Sequence, residues 1–167
     1  VQHPARFFCP VLLDLLPKVA ARPDSQVCER YFELLIELLS EGRGTTRAPD
    51  TDRLCDALAA ACKMLQAHPM IEVASRPLLD DEVLRGLLRM VRAVLPLVPR
   101  QAAMQACKEM VGFLFVNCLF ALPTGELNGE RTPPLCKRTA TRTAAFDLLW
   151  QVVQLDESFR AQLVDRG

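Results

Sequence analysis

The chain has 167 residues, of which 50% are hydrophobic and 24% are charged, and its 20 basic side chains balance its 20 acidic ones. This mixture is typical of a folded globular protein, and the length suffices for one domain or a short run of helical repeats. Because the formal net charge is zero, no general electrostatic field attracts nucleic acid or an anionic membrane. We expect neither as a partner.

The cysteines and the two ends of the chain bear on its cellular compartment. Most of the seven cysteines lie within apolar helical patterns, which predicts reduced, buried thiols rather than a disulfide framework. The amino end lacks the order of a signal peptide, and no apolar run is long enough for a membrane span. We therefore predict a cytoplasmic protein, and nuclear access fits the same features. Phe159, Leu163 and Val164 have little left to pack on, which predicts a piece of a longer protein.

The first two helical segments are separated by Arg22-Pro23. In the first, ARFFCPVLLDLLPKVAA, Pro10 can occupy an N1 position whereas Pro17 should kink or divide the helix, so one kinked helix and two short ones both fit. Asp24 or Ser25 is expected to cap the second helix. Its predicted buried face consists of Val27, Tyr31, Leu34, Leu35, Leu38 and Leu39. Its predicted solvent face consists of Glu29, Arg30, Glu33 and Glu37.

The third and fourth helices have equally clear apolar faces. Asp50 or Thr51 is expected to cap the third helix, which ends at His68-Pro69. The fourth begins with acidic residues in its first turn, where the helix macrodipole favours them. The predicted buried residues are Leu54, Leu58, Ala61, Cys62 and Leu65 in the third helix and Leu84, Leu87, Leu88, Val91 and Leu95 in the fourth. The predicted acidic first turn consists of Asp80, Asp81 and Glu82.

Two further helices complete the pattern. Pro99 is well placed to open a fifth helix, whose second half, Met110 to Leu122, is almost entirely apolar and is predicted to be the central rod of the fold. A long polar loop, PTGELNGERTPP, then leads to a last helix from about Thr139 to Leu155 with two apolar faces. One face consists of Ala144, Ala145, Leu148, Leu149 and Val152, and the other of Phe146, Trp150 and Val153.

Six or seven helices without a convincing strand predict an all-α fold. We expect antiparallel helix pairs stacked as an armadillo or HEAT-like α-solenoid segment that spans residues 1–167 as a single unit, although a closed bundle also fits.

No pattern in the chain predicts a catalytic, cofactor-binding or metal-binding site. Cys55, Cys62 and His68 lie near one another in sequence, but structural zinc sites usually place two cysteines two to four residues apart at a turn. Cys136, followed by basic residues, has the most electropositive setting of the cysteines, yet packing is the better interpretation because a thiol nucleophile needs a histidine base. The chain contains only His3 and His68.

Basic side chains form two groups that are candidate contacts for an acidic or phosphorylated protein partner. One group is a stripe on the fourth helix, and the other surrounds the loop before the last helix. A solvated surface is the alternative interpretation. The candidate partner-binding residues are Arg85, Arg89, Arg92, Arg131, Lys137 and Arg138.

One stretch carries a resemblance to a known family. The sequence CLFALPTGELNGERTPPLCKRTATRTAAFDLLWQVV, from Cys118 to Val153, resembles a segment of the very large ubiquitin-specific proteases of the fat-facets type. Those proteins share a Pro-Pro-x-Cys-Lys element followed by a helix with a Thr-Arg-x-x-Ala-Phe/Tyr-Asp-Leu-Leu pattern. The matching positions are Pro133, Pro134, Cys136, Lys137, Thr141, Arg142, Ala145, Phe146, Asp147, Leu148 and Leu149. The pattern is a packing signature, with Phe146 and Leu149 expected in the core.

The resemblance implies a role in a deubiquitinase without implying activity in this segment. The family's Gly-Asn-Thr-Cys-Tyr box and its distant histidine box do not occur here, so no catalytic residue carries over. The resemblance implies a non-catalytic helical scaffold outside the catalytic domain of a thiol-dependent parent, flanked by further helical repeats. Its implied partners are substrates, regulators or ubiquitin, and the loop from Pro123 to Pro134 is the first place to look for a contact.

Two alternatives remain. One is a helical-repeat adaptor unrelated to ubiquitin, and the other is an enzyme that uses Cys136 or the group of Cys55, Cys62 and His68.

Overall fold

The computed structural model describes residues 5–21, 25–41, 51–66, 81–119, 122–123, 131–132 and 138–165. For residues 5–10, 20–21, 25, 41, 116–117, 122–123 and 131–132 it describes the backbone alone. The first four helices are α1 (Ala5–Ala21), α2 (Ser25–Glu41), α3 (Thr51–Gln66) and α4 (Asp81–Val94). A short 3₁₀ turn, Leu95–Leu97, follows α4. The remaining helices are α5 (Arg100–Ala106), α6 (Met110–Gly112, continuing as the π-helix Phe113–Leu119), α7 (Thr139–Val153) and α8 (Glu157–Val164).

Helix α1 is continuous through both of its prolines. It begins at Ala5, so Pro10 lies inside the helix rather than at its N1 position, and Pro17 is exposed. Leu13 and Leu16 are buried, and the Leu12 carbonyl accepts a 2.5 Å hydrogen bond from the Tyr31 hydroxyl of α2. Of the two possibilities that the sequence left open, the structure therefore shows a single helix rather than two short ones.

Helix α2 is rotated relative to the prediction. Tyr31, Leu35, Leu38 and Leu39 are buried as expected, and the predicted acidic and basic outer face is exposed. Val27 and Leu34, which were expected inside, are 57% and 46% exposed. Their places in the core are taken by Cys28 and Phe32.

The rotation of α2 follows from its contact with α4. The ring of Phe32 lies directly over Gly86, where a Cβ atom would collide with it. A glycine in a helix interior costs about 1 kcal/mol relative to alanine, but here it lets the two helices approach closely. Phe32 also makes an edge-to-face contact with Tyr31, with ring centroids 5.1 Å apart.

Helix α4 has the most extensive packing among the described helices. It contacts α2, α3 and α7, and nine of its residues are buried, including all of the predicted Leu84, Leu87, Leu88 and Val91. Asp81 and Glu82 occupy its first turn as predicted. The central position that the sequence assigns to the apolar helix from Met110 therefore belongs to α4.

The predicted fifth helix is broken into two. Pro99 caps α5 at its amino end, as expected, but the helix ends at Ala106 and a turn through Cys107 precedes Met110. The apolar run then adopts π-helical geometry, and Leu122 lies in a strand rather than in the helix. Two-residue strands β1 (Leu122–Pro123) and β2 (Arg131–Thr132) pair antiparallel and close the polar loop. The other described residues lie in helices or in short connections, so the all-α fold class is confirmed. The sequence did not predict this short strand pair.

The carboxyl-terminal helices have a well-defined junction. Arg100 at the start of α5 donates two hydrogen bonds to the Leu155 carbonyl, at 2.6 and 3.0 Å, and so ties α5 to the end of α7. Asp156 caps α8 by accepting a 2.9 Å hydrogen bond from the Ser158 amide. Hydrogen bonds from the Ser158 side chain and from its amide, assisted by the nearby Arg100, lower the pKa of Asp156 below its ordinary value. Phe159, expected to lack a partner, is buried because α8 packs on α6 and α7.

The helices pack in a regular order. Successive helices contact each other as pairs, α1 with α2, α3 with α4 and α6 with α7. The second members of the pairs form one row, α2–α4–α7, and on the other side α3 contacts α1 and α5, the first part of the broken fifth helix. Of the helices described, none is both long and apolar enough to cross a membrane.

Candidate interaction surface

The arginines of α4 lie where the row α2–α4–α7 reaches the surface. Arg85 is mostly buried and pairs with Glu82 of its own helix and, at 3.3 Å, with Glu29 of α2. Arg92, two turns further along, donates a 2.7 Å hydrogen bond to Asp147 of α7. The two arginines therefore tie α4 to its neighbours on opposite sides.

A second polar seam joins the amino ends of α4 and α7. Arg138, which precedes α7, donates a 2.5 Å hydrogen bond to Glu82 and lies 3.9 Å from Asp81. Thr141 is fully buried and donates a 2.6 Å hydrogen bond to Asp81 Oδ2. The other oxygen of that carboxylate, Asp81 Oδ1, is buried and makes no hydrogen bond within the described part of the chain. Thr141 and Asp147 of the family pattern thus both bind α4.

Of the six basic residues predicted from sequence, only Arg89 is an exposed cation without a partner in the described ranges. Arg85, Arg92 and Arg138 serve as links between elements, although an ion pair at the surface still leaves donors for a partner. The side chains of Arg131 and Lys137 lie outside those that the structure describes. Binding of a partner by these six residues stays a prediction.

A groove runs across α2, α4 and α7 next to Arg89. Its volume is about 470 Å³, and it is open to solvent. Its lining combines two guanidinium groups, three apolar side chains and two uncharged polar side chains. The lining residues are Ile36, Ser40, Arg89, Arg92, Ala93, Pro96 and Gln151. Sequence reasoning found the two arginines through their helical spacing but had no means of finding the residues that α2 and α7 contribute.

Exposed apolar residues occur at both outer edges of the row. Phe146 and Trp150 on α7 are 59% and 67% exposed, so only Val153 of the second predicted apolar face is buried. They lie roughly 140–180° around the helix from Thr141, which faces α4. On α2, Val27 and Leu34 lie roughly 140–160° around the helix from Glu29, which also faces α4. Each edge helix therefore presents apolar side chains away from the helix it packs against.

Of the cysteine candidates, the structure describes Cys55 and Cys62. Cys62 is buried beside Cys107, and a side-chain hydrogen bond with Cys107 together with burial raises the pKa of Cys62. Its thiol stays protonated at neutral pH and is therefore a poor nucleophile. Among the described residues, no three His, Cys, Asp or Glu side chains are grouped to hold a metal ion. His68 and Cys136 lie outside the described residues.

Comparison with curated proteins finds similarity to ubiquitin carboxyl-terminal hydrolase 34. This chain is 29% identical over 131 residues to the protein of that name from Mus musculus and 31% identical over 134 residues to the one from Homo sapiens. Each alignment covers 76% of this chain, which spans 3% of the mouse protein and 4% of the human protein. No family model and no solved structure matches. The similarity indicates a distant relationship to a ubiquitin-specific protease, in line with the resemblance in residues 118–153.

Proposed function

We propose that residues 1–167 are a non-catalytic scaffold in a large ubiquitin-specific protease, where they position substrates or regulators for a catalytic domain elsewhere in the parent chain. The observation that carries this proposal is the row α2–α4–α7, which is packed at its centre and apolar at both edges. The similarity to ubiquitin carboxyl-terminal hydrolase 34 supplies the link to deubiquitination.

The pattern of contacts between the helices supports an armadillo or HEAT-like stack of three helix pairs. In such a solenoid each pair contacts the pair before it and the pair after it. The contacts of α2 with α4 and of α4 with α7 join successive pairs in one row, and on the other side α3 contacts α1 of the first pair and α5, which leads into the third pair. Contacts between neighbouring pairs are what a stack requires, whereas a closed bundle would return its last helices to its first.

The exposed edges support continuation of this stack in a parent chain. Large hydrophobic side chains grouped on a surface mark sites that another element covers. Val27 and Leu34 stand at one edge, and Phe146 and Trp150 stand at the other. A helix pair added at each edge would bury these side chains in the same way that α2 and α7 bury the sides of α4.

A scaffold role predicts that the segment affects cleavage of particular substrates more than chemistry. In the complete parent protein, removal of residues 1–167 should leave hydrolysis of a ubiquitin–fluorophore reporter unchanged while slowing removal of ubiquitin from a protein substrate. The two rates are measured side by side in the intact and shortened proteins. Equal loss of both rates would show that the segment supports the catalytic domain itself and would overturn the proposal.

Labelling with a reactive ubiquitin probe gives the matching control. Residues 1–167 alone should remain unlabelled, whereas the parent protein should be labelled on its catalytic cysteine. Covalent labelling of the segment would favour the enzyme interpretation. Absence of the cysteine and histidine boxes from the complete parent sequence would favour the unrelated adaptor.

A further inference from the structure

We propose that the groove across α2, α4 and α7 binds an acidic peptide segment of a partner protein, with Arg89 pairing with a carboxylate of that segment. This inference rests on the proposed scaffold function, for which it names a class of partner.

The charge of the groove selects an acidic occupant. Among the described residues, its lining contains the guanidinium groups of Arg89 and Arg92 and no carboxylate. Asp147 neutralises Arg92, and on the α2 side Glu33 lies 3.8 Å from Arg30 and forms a surface pair with it. Arg89 is exposed and makes no ion pair with any residue in the described part of the chain. Its charge is therefore available to a carboxylate, which a guanidinium group binds through two parallel hydrogen bonds.

The shape of the groove selects an extended segment. Small-molecule sites are concave enough to bury most of a ligand's surface, whereas this groove lies open between three helices. Its apolar lining residues are Ile36, Ala93 and Pro96. An extended chain places alternate side chains on opposite sides. One apolar residue of such a segment would contact these side chains while a neighbouring acidic residue reaches Arg89.

Two uncharged polar residues also line the groove. Gln151 of α7 offers an amide that both donates and accepts hydrogen bonds, and Ser40 of α2 offers a hydroxyl. The Ser40 hydroxyl already donates to the Ile36 carbonyl at 2.8 Å, so its oxygen accepts from a peptide amide. These groups satisfy the backbone of a bound peptide without adding charge.

The test uses the full chain and two fluorescein-labelled peptides of equal length. Both peptides contain the same leucines, but their polar positions hold glutamate in one and lysine in the other. Fluorescence anisotropy should show binding of the glutamate peptide and none of the lysine peptide. The Arg89→Glu variant should raise the Kd by about 10- to 100-fold, because a hydrogen-bonded charged pair is lost.

The matched control is Lys63→Glu, an equal change of charge at an exposed residue of α3 that does not line the groove. It should leave the Kd unchanged, and both variants should unfold at the temperature of the unmodified chain. Equal binding of the two peptides, or equal weakening by the two variants, would overturn the inference. Failure of the glutamate peptide to bind would also overturn it. The scaffold proposal is tested separately by the cleavage rates of the parent protein, so the two proposals can fail independently.

Discussion

Helices α4 and α7 belong to the same row, yet one is enclosed and the other is an edge. Helix α4 packs against α2 on one side and α7 on the other, and none of its large hydrophobic residues is exposed. Helix α7 packs against α4 on one side and leaves Phe146 and Trp150 in solvent on the other. Both helices contact several others, so the placement of the neighbours rather than their number decides which faces are buried: α4 has a neighbour on each side of the row, and α7 has one on a single side.

The two interfaces of α4 also differ in chemistry. We call the interface with α2 the apolar seam and the interface with α7 the polar seam. Toward α2 the described contact is mainly apolar, with Phe32 packed on Gly86 and an ion pair between Glu29 and Arg85. Toward α7 the described contact includes three polar links, those of Thr141, Arg138 and Asp147. Apolar packing contributes more to stability, whereas polar links fix the relative position of the helices.

The largest expected effect separates the two sides of α7. Leu149 is 5% exposed, and its replacement by alanine should lower the free energy of unfolding by about 2–5 kcal/mol because it leaves a cavity. Phe146→Ala, three residues away on the same helix, should change it by less than about 0.5 kcal/mol because the ring is exposed. Urea denaturation of both variants measures the difference. Equal losses would show that Phe146 is covered in solution and that α7 is not an edge.

A smaller effect is expected at the apolar seam of α4. The substitution Gly86→Ala places a methyl group where the Phe32 ring lies, and the displaced ring should cost about 1–3 kcal/mol. Combining it with Phe32→Leu removes the ring and should recover part of the loss, since the two residues are in contact. Additive losses in the double variant, measured by thermal unfolding, would contradict a direct contact.

The smallest expected effect lies at the polar seam. The substitution Thr141→Val keeps the side-chain shape but removes the donor to Asp81, so the buried carboxylate loses a partner and stability should fall by about 1–2 kcal/mol. Thr141→Ser keeps the hydroxyl and should retain most of the stability of the unmodified chain. The two variants are compared by chemical denaturation at neutral pH. An unchanged free energy of unfolding for Thr141→Val would show that the hydrogen bond contributes little to the stability of this interface.

The sequence predicted the positions of the helices better than their orientations. Prolines, acidic first turns and apolar spacing placed α2, α3, α4 and α7 close to their observed bounds, because these signals act within a few residues. The break at Cys107 and the π-helical geometry from Phe113 were missed because the run from Met110 is apolar on every side and carries no periodicity. The candidate surface was half predicted, in that the arginines of α4 were identified but the α2 and α7 walls of the groove were not.

By itself, the sequence determined the all-α fold class, the buried stripe of α3, the acidic start of α4 and the family resemblance in its last third. Only the tertiary structure decided that Val27, Leu34, Phe146 and Trp150 face solvent, that Arg92 binds Asp147 across 55 residues of chain, and that Arg89 remains exposed beside a groove. The physical reason is the distance along the chain over which each interaction acts. Periodicity shows which side chains share a helix face, but burial and ion pairing depend on which distant helix, if any, packs against that face.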